Sequence, residues 1–144
     1  MKIEIRYIDR TCLNAKAYMK LLAKFGNLKL KTIIVFDKRV KSYGQYSFNS
    51  VKRIHTIRIS PDVHKLKKDY NAEKYELIST TLHELRHAQQ KEEKGFEFWK
   101  KQYNSVNEIK TKTMSDFYSE CELDARTFEN ANVANAVGFY NSHL

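Results

Sequence analysis

The five-residue motif HELRH at positions 83–87 restricts the folding of this chain more than any other segment. Two histidines four residues apart face the same direction only when the segment is helical. The flanking sequence favours a helix from about residue 72 to residue 94, with Asn71 as its N-cap and Gly95 as its end. We therefore expect a long motif helix that carries both histidines on one side.

Strand patterns precede the motif, and helix patterns follow it. The strand patterns occupy residues 2–8, 28–36, 43–48 and 53–60. Further helix patterns cover residues 13–25 and about 115–137. Because most strands come first and the long helices later, the order predicts an α+β domain, in which a mixed sheet of about three or four strands packs on the motif helix. The final helix is expected to close a cleft over the histidines.

Length and composition predict one domain over residues 1–144. The chain can bury a sizeable core, and its four glycines and single proline leave little room for flexible linkers. Two cysteines are too few for a disulfide framework, so both are expected to be reduced. No segment is apolar enough to span a bilayer, and the first residues do not resemble a signal peptide. We expect a cytoplasmic protein, in a bacterial host cell, with no membrane partner.

The basic charge leaves two interpretations open. A formal net charge of +9 favours polyanionic partners, such as nucleic acid or acidic proteins. The lysines are scattered along the chain, however, and a solvated surface that keeps the protein soluble explains them equally well. Nucleic acid is therefore one expected partner, bound through the basic surface.

The motif has the residue types and spacing of a zinc site. On a helix, His83 and His87 can each direct one imidazole nitrogen at a common ion, and Glu84 lies about 100° around the axis, within reach of a water held by that ion. Zinc lowers the pKa of such a water towards neutrality, and a carboxylate beside it can take the proton. Two imidazoles and one carboxylate favour Zn²⁺ over other divalent ions. By contrast, His55 lies in a strand pattern and is more typical of a structural residue than of a ligand.

A third protein ligand is needed, and the final helix offers carboxylates. The elongated form of the motif requires a glycine and a third histidine where this chain has Gln90 and Glu93. Glu120 and Asp124 lie one turn apart, so Glu120 can complete the zinc site while Asp124 accepts the second ring N–H of a ligating histidine. Glu122 remains an alternative third ligand. A solvated acidic face would also explain these carboxylates.

The two helical motifs together resemble a known group of peptidases. HExxH on one helix, followed by ExxxD at 120–124 on the next, resembles the gluzincin arrangement of thermolysin-type peptidases. The scaffold is similar to small bacterial and phage proteins of the ImmA/IrrE and SprT-like kinds. Segments 43–46 and 57–60 resemble the strand pair that precedes the motif helix in those groups. The resemblance covers roughly residues 43–130.

This resemblance implies a minimal zincin-like domain, with zinc bound by His83, His87 and Glu120 and with Glu84 as the general base. One departure is evident. SprT-like proteins usually take a histidine as the third ligand, whereas the only histidine after His87 is His143, near the end of this chain. A carboxylate is therefore the expected third ligand.

The leading functional expectation is zinc-dependent hydrolysis of a peptide bond in a protein or peptide substrate. An exposed strand edge at residues 53–60 would align an extended substrate by β-augmentation. The alternative is a basic module that binds nucleic acid or protein, in which the zinc site is structural or vestigial. A cell-wall or toxin-like hydrolase is a third class, which the lack of a secretion signal disfavours.

Overall fold

The computed structural model describes the backbone of residues 2–62, 70–108 and 114–144, and the side chains of residues 2–62, 71–93 and 120–144. Within these ranges the chain forms four strands and three long helices. The strands are β1 (Ile3–Arg6), β2 (Thr32–Phe36), β3 (Gly44–Asn49) and β4 (Ile54–Ile59). The helices are α1 (Ala15–Gly26), α2 (Tyr70–Glu108), which contains the HELRH motif, and α3 (Met114–Ser142).

The four strands form one mixed sheet in the order β1-β2-β4-β3. Strand β2 runs parallel to β1 and to β4, and β3 runs antiparallel to β4. In β4, His55, Ile57 and Ile59 are buried and the residues between them are partly exposed, as expected for a strand with one covered face. The predicted α+β class with a mixed sheet is confirmed.

Strand β3 and not β4 lies at an edge of the sheet, so the prediction of an exposed edge at residues 53–60 is wrong. Strand β4 pairs with β2 on one side and with β3 on the other. The hairpin of β3 and β4 was readable from the sequence, but the sequence does not show that β2 adds to β4 and leaves β3 at the edge. Of the two strands nearest the motif, β3 therefore has the edge that is not paired within the sheet.

An apolar face of α2 fixes the orientation of the motif. Leu77, Ile78, Leu82 and Leu85 are buried in the core together with side chains of the sheet and α1. Burying one such side chain contributes about 1.5–3 kcal/mol, so rotating the helix away from this contact would be costly. The side of α2 that carries the histidines is thereby turned away from the core.

Helix α2 does not end at Gly95, as the sequence suggested, but continues to Glu108. A glycine inside a helix costs only about 1 kcal/mol relative to alanine, and the residues on either side favour a helix. Helix α3 runs from Met114 to Ser142, somewhat longer than predicted. Although α2 has 39 residues, neither it nor any other helix in the described part of the chain is apolar enough to cross a membrane.

Candidate metal centre

The two histidines of the motif lie side by side on α2. Their ring centroids are 4.9 Å apart in an edge-to-face arrangement. Ligand atoms of His83, Glu84 and His87 all lie within 4.8 Å of one another. The side chains of His83 and His87 are 15% and 13% exposed, so both are largely shielded but still accessible. The helical spacing therefore brings these three groups together as the sequence predicts.

One carboxylate of α3 contacts both histidines, and it belongs to Glu122. Its Oε2 lies 2.9 Å from Nε2 of His83, and its Oε1 lies 2.8 Å from Nε2 of His87. Glu120 is exposed. Two residues on a helix differ by about 200° around the axis, so Glu120 faces away when Glu122 faces α2. The geometry therefore favours Glu122, the alternative that the sequence left open, over Glu120.

The second ring nitrogen of His83 contacts a carboxylate that the sequence analysis missed. Its Nδ1 lies 3.1 Å from Oε1 of Glu129, which also accepts a hydrogen bond from the hydroxyl of Ser79. Burial alone would lower the pKa of His83, but the hydrogen bond to Glu129 and the nearby charges of Glu84 and Glu122 raise it overall. The spacing of seven residues from Glu122 to Glu129 could have identified Glu129 from the sequence, since it places both acids on one face of α3.

The second ring nitrogen of His87 contacts Gln90 and not Asp124. Nδ1 of His87 lies 3.0 Å from Oε1 of Gln90. The amide nitrogen of Gln90 in turn donates to Oδ2 of Asp124 at 2.7 Å and to the main-chain oxygen of Cys121 at 3.0 Å. Asp124 also accepts a hydrogen bond from Nε of Arg86 at 2.8 Å. The expected direct bond from Asp124 to a histidine is therefore wrong, because Gln90 reaches His87 from one turn along the same helix.

Glu84 is buried against the start of β3, where only glycine fits. A Cβ atom on Gly44 would lie 2.9 Å from Cγ2 of Thr80 and 3.1 Å from Cγ of Glu84. Burial raises the pKa of Glu84 to about 7. The absence of a side chain at Gly44 therefore lets the edge strand pass directly over the carboxyl group of the motif.

A second cluster of polar residues lies behind His87. The ring of Tyr46, on β3, stacks on the ring of His87 with centroids 6.2 Å apart. The Tyr46 hydroxyl lies 2.8 Å from Nδ1 of His55, whose Nε2 lies 2.7 Å from Oε2 of Glu92. Burial lowers the pKa of His55, so a neutral ring is favoured, with Nδ1 accepting from Tyr46 and Nε2 donating to Glu92. His55 therefore has the structural role that the sequence suggested.

Two cavities meet at the motif and form one cleft between β3 and α3. Glu84 and Glu122 line both of them. The first, of about 380 Å³, is also lined by residues 44–48 of β3 and by Lys91. The second, of about 640 Å³, is also lined by Glu76 and Glu129 among others. A ligand in either cavity would reach the carboxyl group of Glu84.

The hydrogen-bond partners of the two rings favour tautomers that suit a cation. Nδ1 of His83 and Nδ1 of His87 each face an acceptor oxygen, so each carries a proton. In a neutral ring, Nε2 then carries a lone pair, and both lone pairs point at oxygen atoms of Glu122. Lone pairs at such distances repel each other unless a proton or a metal ion lies between them.

Zinc fits this donor set with a small adjustment. Zinc takes imidazole nitrogen at about 2.0–2.1 Å and carboxylate oxygen at about 2.0–2.2 Å in a tetrahedral arrangement, which separates two ligand atoms by about 3.4 Å. The observed Nε2–oxygen distances of 2.9 and 2.8 Å would have to widen by roughly half an ångström. The side chain of Glu122 is 45% exposed, so it has room to move by this amount.

Comparisons of the chain with protein-family models, with curated proteins and with solved structures found no match.

Proposed function

We propose that this protein is a zinc-dependent metallopeptidase, in which His83, His87 and Glu122 hold the ion and Glu84 is the general base. The observation that carries the proposal is that the Nε2 atoms of both histidines contact the one carboxylate of Glu122 beside an accessible cleft. Three protein ligands beside an open cleft are typical of catalytic zinc, whereas structural zinc sites are closed by a fourth protein ligand. The plan resembles that of a gluzincin, with Glu122 in place of Glu120.

In this proposal, Glu84 moves the proton that peptide hydrolysis requires. When bound, zinc would act as a Lewis acid and lower the pKa of a water molecule at the site. Burial raises the pKa of Glu84 to about 7, and a nearby divalent cation would lower it again, since opposite charge favours the carboxylate. At neutral pH Glu84 would thus be ionised, able to accept a proton from the attacking water and to return it to the leaving amine nitrogen.

Strand β3 offers a surface along which an extended peptide can lie. Five consecutive residues, 44–48, line the cavity on the side of the motif that contains His87. Both faces of the strand are represented in such a run, so it is the edge of β3 that borders the cavity. A peptide paired with this edge would pass Gly44, where the strand lies against Glu84.

The test separates metal binding from turnover. Glu84→Gln should retain one zinc ion per chain, measured by metal analysis, and should lose cleavage of labelled casein and of a mixed pool of internally quenched peptides. Glu73→Gln, about three turns earlier on α2, is the matched control and should leave both properties unchanged. Equal cleavage by the Glu84 variant and the parent would contradict the mechanism. Nucleic acid binding without any proteolysis by the parent would favour the alternative of a basic binding module.

A further inference from the structure

The two sides of the cleft differ in charge. The cavity beside His87 contains Lys91, which lies one helical turn after that histidine on α2. Its ammonium nitrogen lies 5.2 Å from the centre of the Phe48 ring on β3. The cavity on the other side is lined by Glu76 and Glu129, in addition to the two acids shared by both cavities, and by Arg126. The first side therefore presents a cation and an aromatic ring, and the second is mainly acidic.

The position of Lys91 is set by the same helix that carries the histidines. Four residues separate it from His87, which corresponds to about 6 Å along the axis. Side chains on one face of an extended peptide recur every 7 Å or so, about twice the rise per residue. Because Lys91 and Glu84 line the same cavity, a peptide that reaches Glu84 can bring the side chain of a residue near the scissile bond to Lys91.

The surroundings of Lys91 make an anionic ligand favourable. The residue is partly buried, and this desolvation lowers the pKa of its ammonium group. A carboxylate brought into the cavity beside it would favour the charged form of the ammonium group. The Phe48 ring covers one side of the cavity and can contact the methylene groups of a ligand side chain.

We propose that Lys91 and Phe48 form a subsite that binds a carboxylate of the peptide substrate, and that this cleft therefore selects peptides with a negative charge on the side of His87. The inference depends on the proposed function for its peptide ligand. The carboxylate is either an acidic side chain or the terminus of the peptide. Glu76 and Glu129, on the opposite side, would repel the same group and so fix the direction in which the peptide lies.

The test measures binding, so that it does not depend on turnover. Short peptides capped with a hydroxamate, a group that binds zinc, would carry Glu, Gln or Lys at successive positions and would be titrated into the zinc-loaded protein by calorimetry. The parent should bind the best Glu peptide about tenfold more tightly than its Gln counterpart, and the Lys peptide most weakly. Lys91→Met should remove the difference between Glu and Gln, and Lys91→Glu should reverse the order. Lys20→Glu, an exposed change of equal charge on α1, should preserve the parental order.

A second comparison, between two sets of peptides, identifies the source of the carboxylate. Peptides with a free C-terminus are compared with the same peptides ending in an amide. A preference for Glu that persists in the amides assigns the subsite to a side chain, whereas a preference seen only for free acids assigns it to the peptide terminus.

The remaining outcomes separate the subsite from the proposed hydrolysis. Equal binding of Glu, Gln and Lys peptides would overturn the subsite and leave the metallopeptidase proposal standing. Selection of Glu peptides that depends on Lys91, in a protein that cleaves none of the corresponding peptides, would support the subsite and count against hydrolysis. If no hydroxamate binds the zinc-loaded protein, both proposals are wrong.

Discussion

Two histidine–glutamate clusters lie side by side in this fold, because Tyr46 of one stacks on His87 of the other. They differ in the number of histidines that each carboxylate faces. In the closed cluster, formed by Tyr46, His55 and Glu92, one donor faces one acceptor at each contact, and His55 is fully buried. In the open cluster, formed by His83, His87 and Glu122, one carboxylate faces two ring nitrogens beside a cavity. The same residue types can thus form a structural network or a candidate metal site. What separates the two is exposure and the number of ring nitrogens that face one carboxylate.

The neighbouring groups support the same distinction. Glu92 in the closed cluster also accepts hydrogen bonds from the main-chain nitrogens of Lys29 and Leu30, at 2.7 and 3.0 Å. These bonds tie α2 to the segment before β2. Glu122 in the open cluster has a half-exposed side chain, and both of its oxygens face histidine nitrogens. We therefore expect the closed cluster to stabilise the fold and the open cluster to bind metal.

The largest expected effect is on zinc binding, and it should appear in the open cluster alone. His83→Ala removes one of three ligands and should weaken zinc affinity by more than the roughly 10–100-fold that changes in supporting residues cost. His55→Ala should still bind one zinc ion with an affinity near that of the parent. Competition with a chromophoric chelator measures both values, and circular dichroism confirms that each variant is folded. Zinc loss of equal size in the His55 variant would remove the distinction between the clusters.

The free energy of unfolding should depend on the closed cluster, in contrast to zinc affinity, which should depend on the open cluster. His55→Ala leaves Glu92 and the Tyr46 hydroxyl without their shared partner and should lower the free energy of unfolding by about 2–4 kcal/mol. His143→Ala, near the chain end, is the control and should cost much less. Urea unfolding of the metal-free proteins measures both changes. A cost for His55→Ala no larger than that of the control would show that the closed cluster does not stabilise the fold.

The closed cluster should also contribute to loss of stability in acid. Burial lowers the pKa of His55 from 6.5, so in the folded protein the ring resists a proton that the unfolded chain accepts. Stability contributed by the neutral ring is therefore present above pH 6.5 and is lost as the pH falls below it. The difference in unfolding free energy between the parent and His55→Ala should accordingly shrink between pH 7 and pH 5. A constant difference over this range would contradict the assignment of a neutral, buried ring.

Variants of Glu122 and Glu120 test which carboxylate is the third zinc ligand of the open cluster. Glu122→Gln should weaken zinc binding by about tenfold to a hundredfold, because it removes the charge that faces both histidines. Glu120→Gln, on the opposite side of α3, should leave the affinity unchanged. The chelator competition used for the histidine variants applies here as well. A larger effect at Glu120 would restore the third ligand that the sequence favoured.

The outcome at these residues shows what the sequence could and could not predict. The helical spacing of His83 and His87 depends only on local geometry, and so it was predictable. The choice of Glu122 depends on how α3 is rotated against α2, and acids at 120, 122 and 124 make several rotations chemically plausible. The spacing of three from His87 to Gln90 allows the contact that the structure has, but spacing alone does not show that Gln90 and not Asp124 accepts from His87.

The same limit applies to the sheet. Alternating apolar residues predicted the strands, since that pattern is local. The position of β3 at the edge depends on the pairing of β2 with β4, which joins segments about twenty residues apart. The role of Gly44 follows from that pairing, because it is the edge strand that passes over Glu84.

The smallest expected effect concerns the stability of the open cluster without metal. Burial raises the pKa of Glu84 to about 7 from 4.5, so the folded protein binds a proton more tightly than the unfolded chain does. Ionisation of Glu84 therefore costs stability as the pH rises from about 4.5 to about 7. Glu84→Gln, which is neutral at every pH, should stabilise the metal-free protein by about 1–2 kcal/mol at pH 8 and by less at pH 5.

Thermal and urea unfolding in the presence of a chelator measure this gain, and Glu73→Gln again serves as the control. Saturating zinc should abolish the gain, since a cation beside Glu84 favours its ionised form. If Glu84 destabilises the metal-free protein but not the zinc-loaded protein, its role is chemical and not structural. His55 should differ, because its loss should lower stability with or without metal. A Glu84 variant no more stable than the parent at pH 8 would show instead that the motif carboxylate is accommodated without cost, as the closed cluster accommodates Glu92.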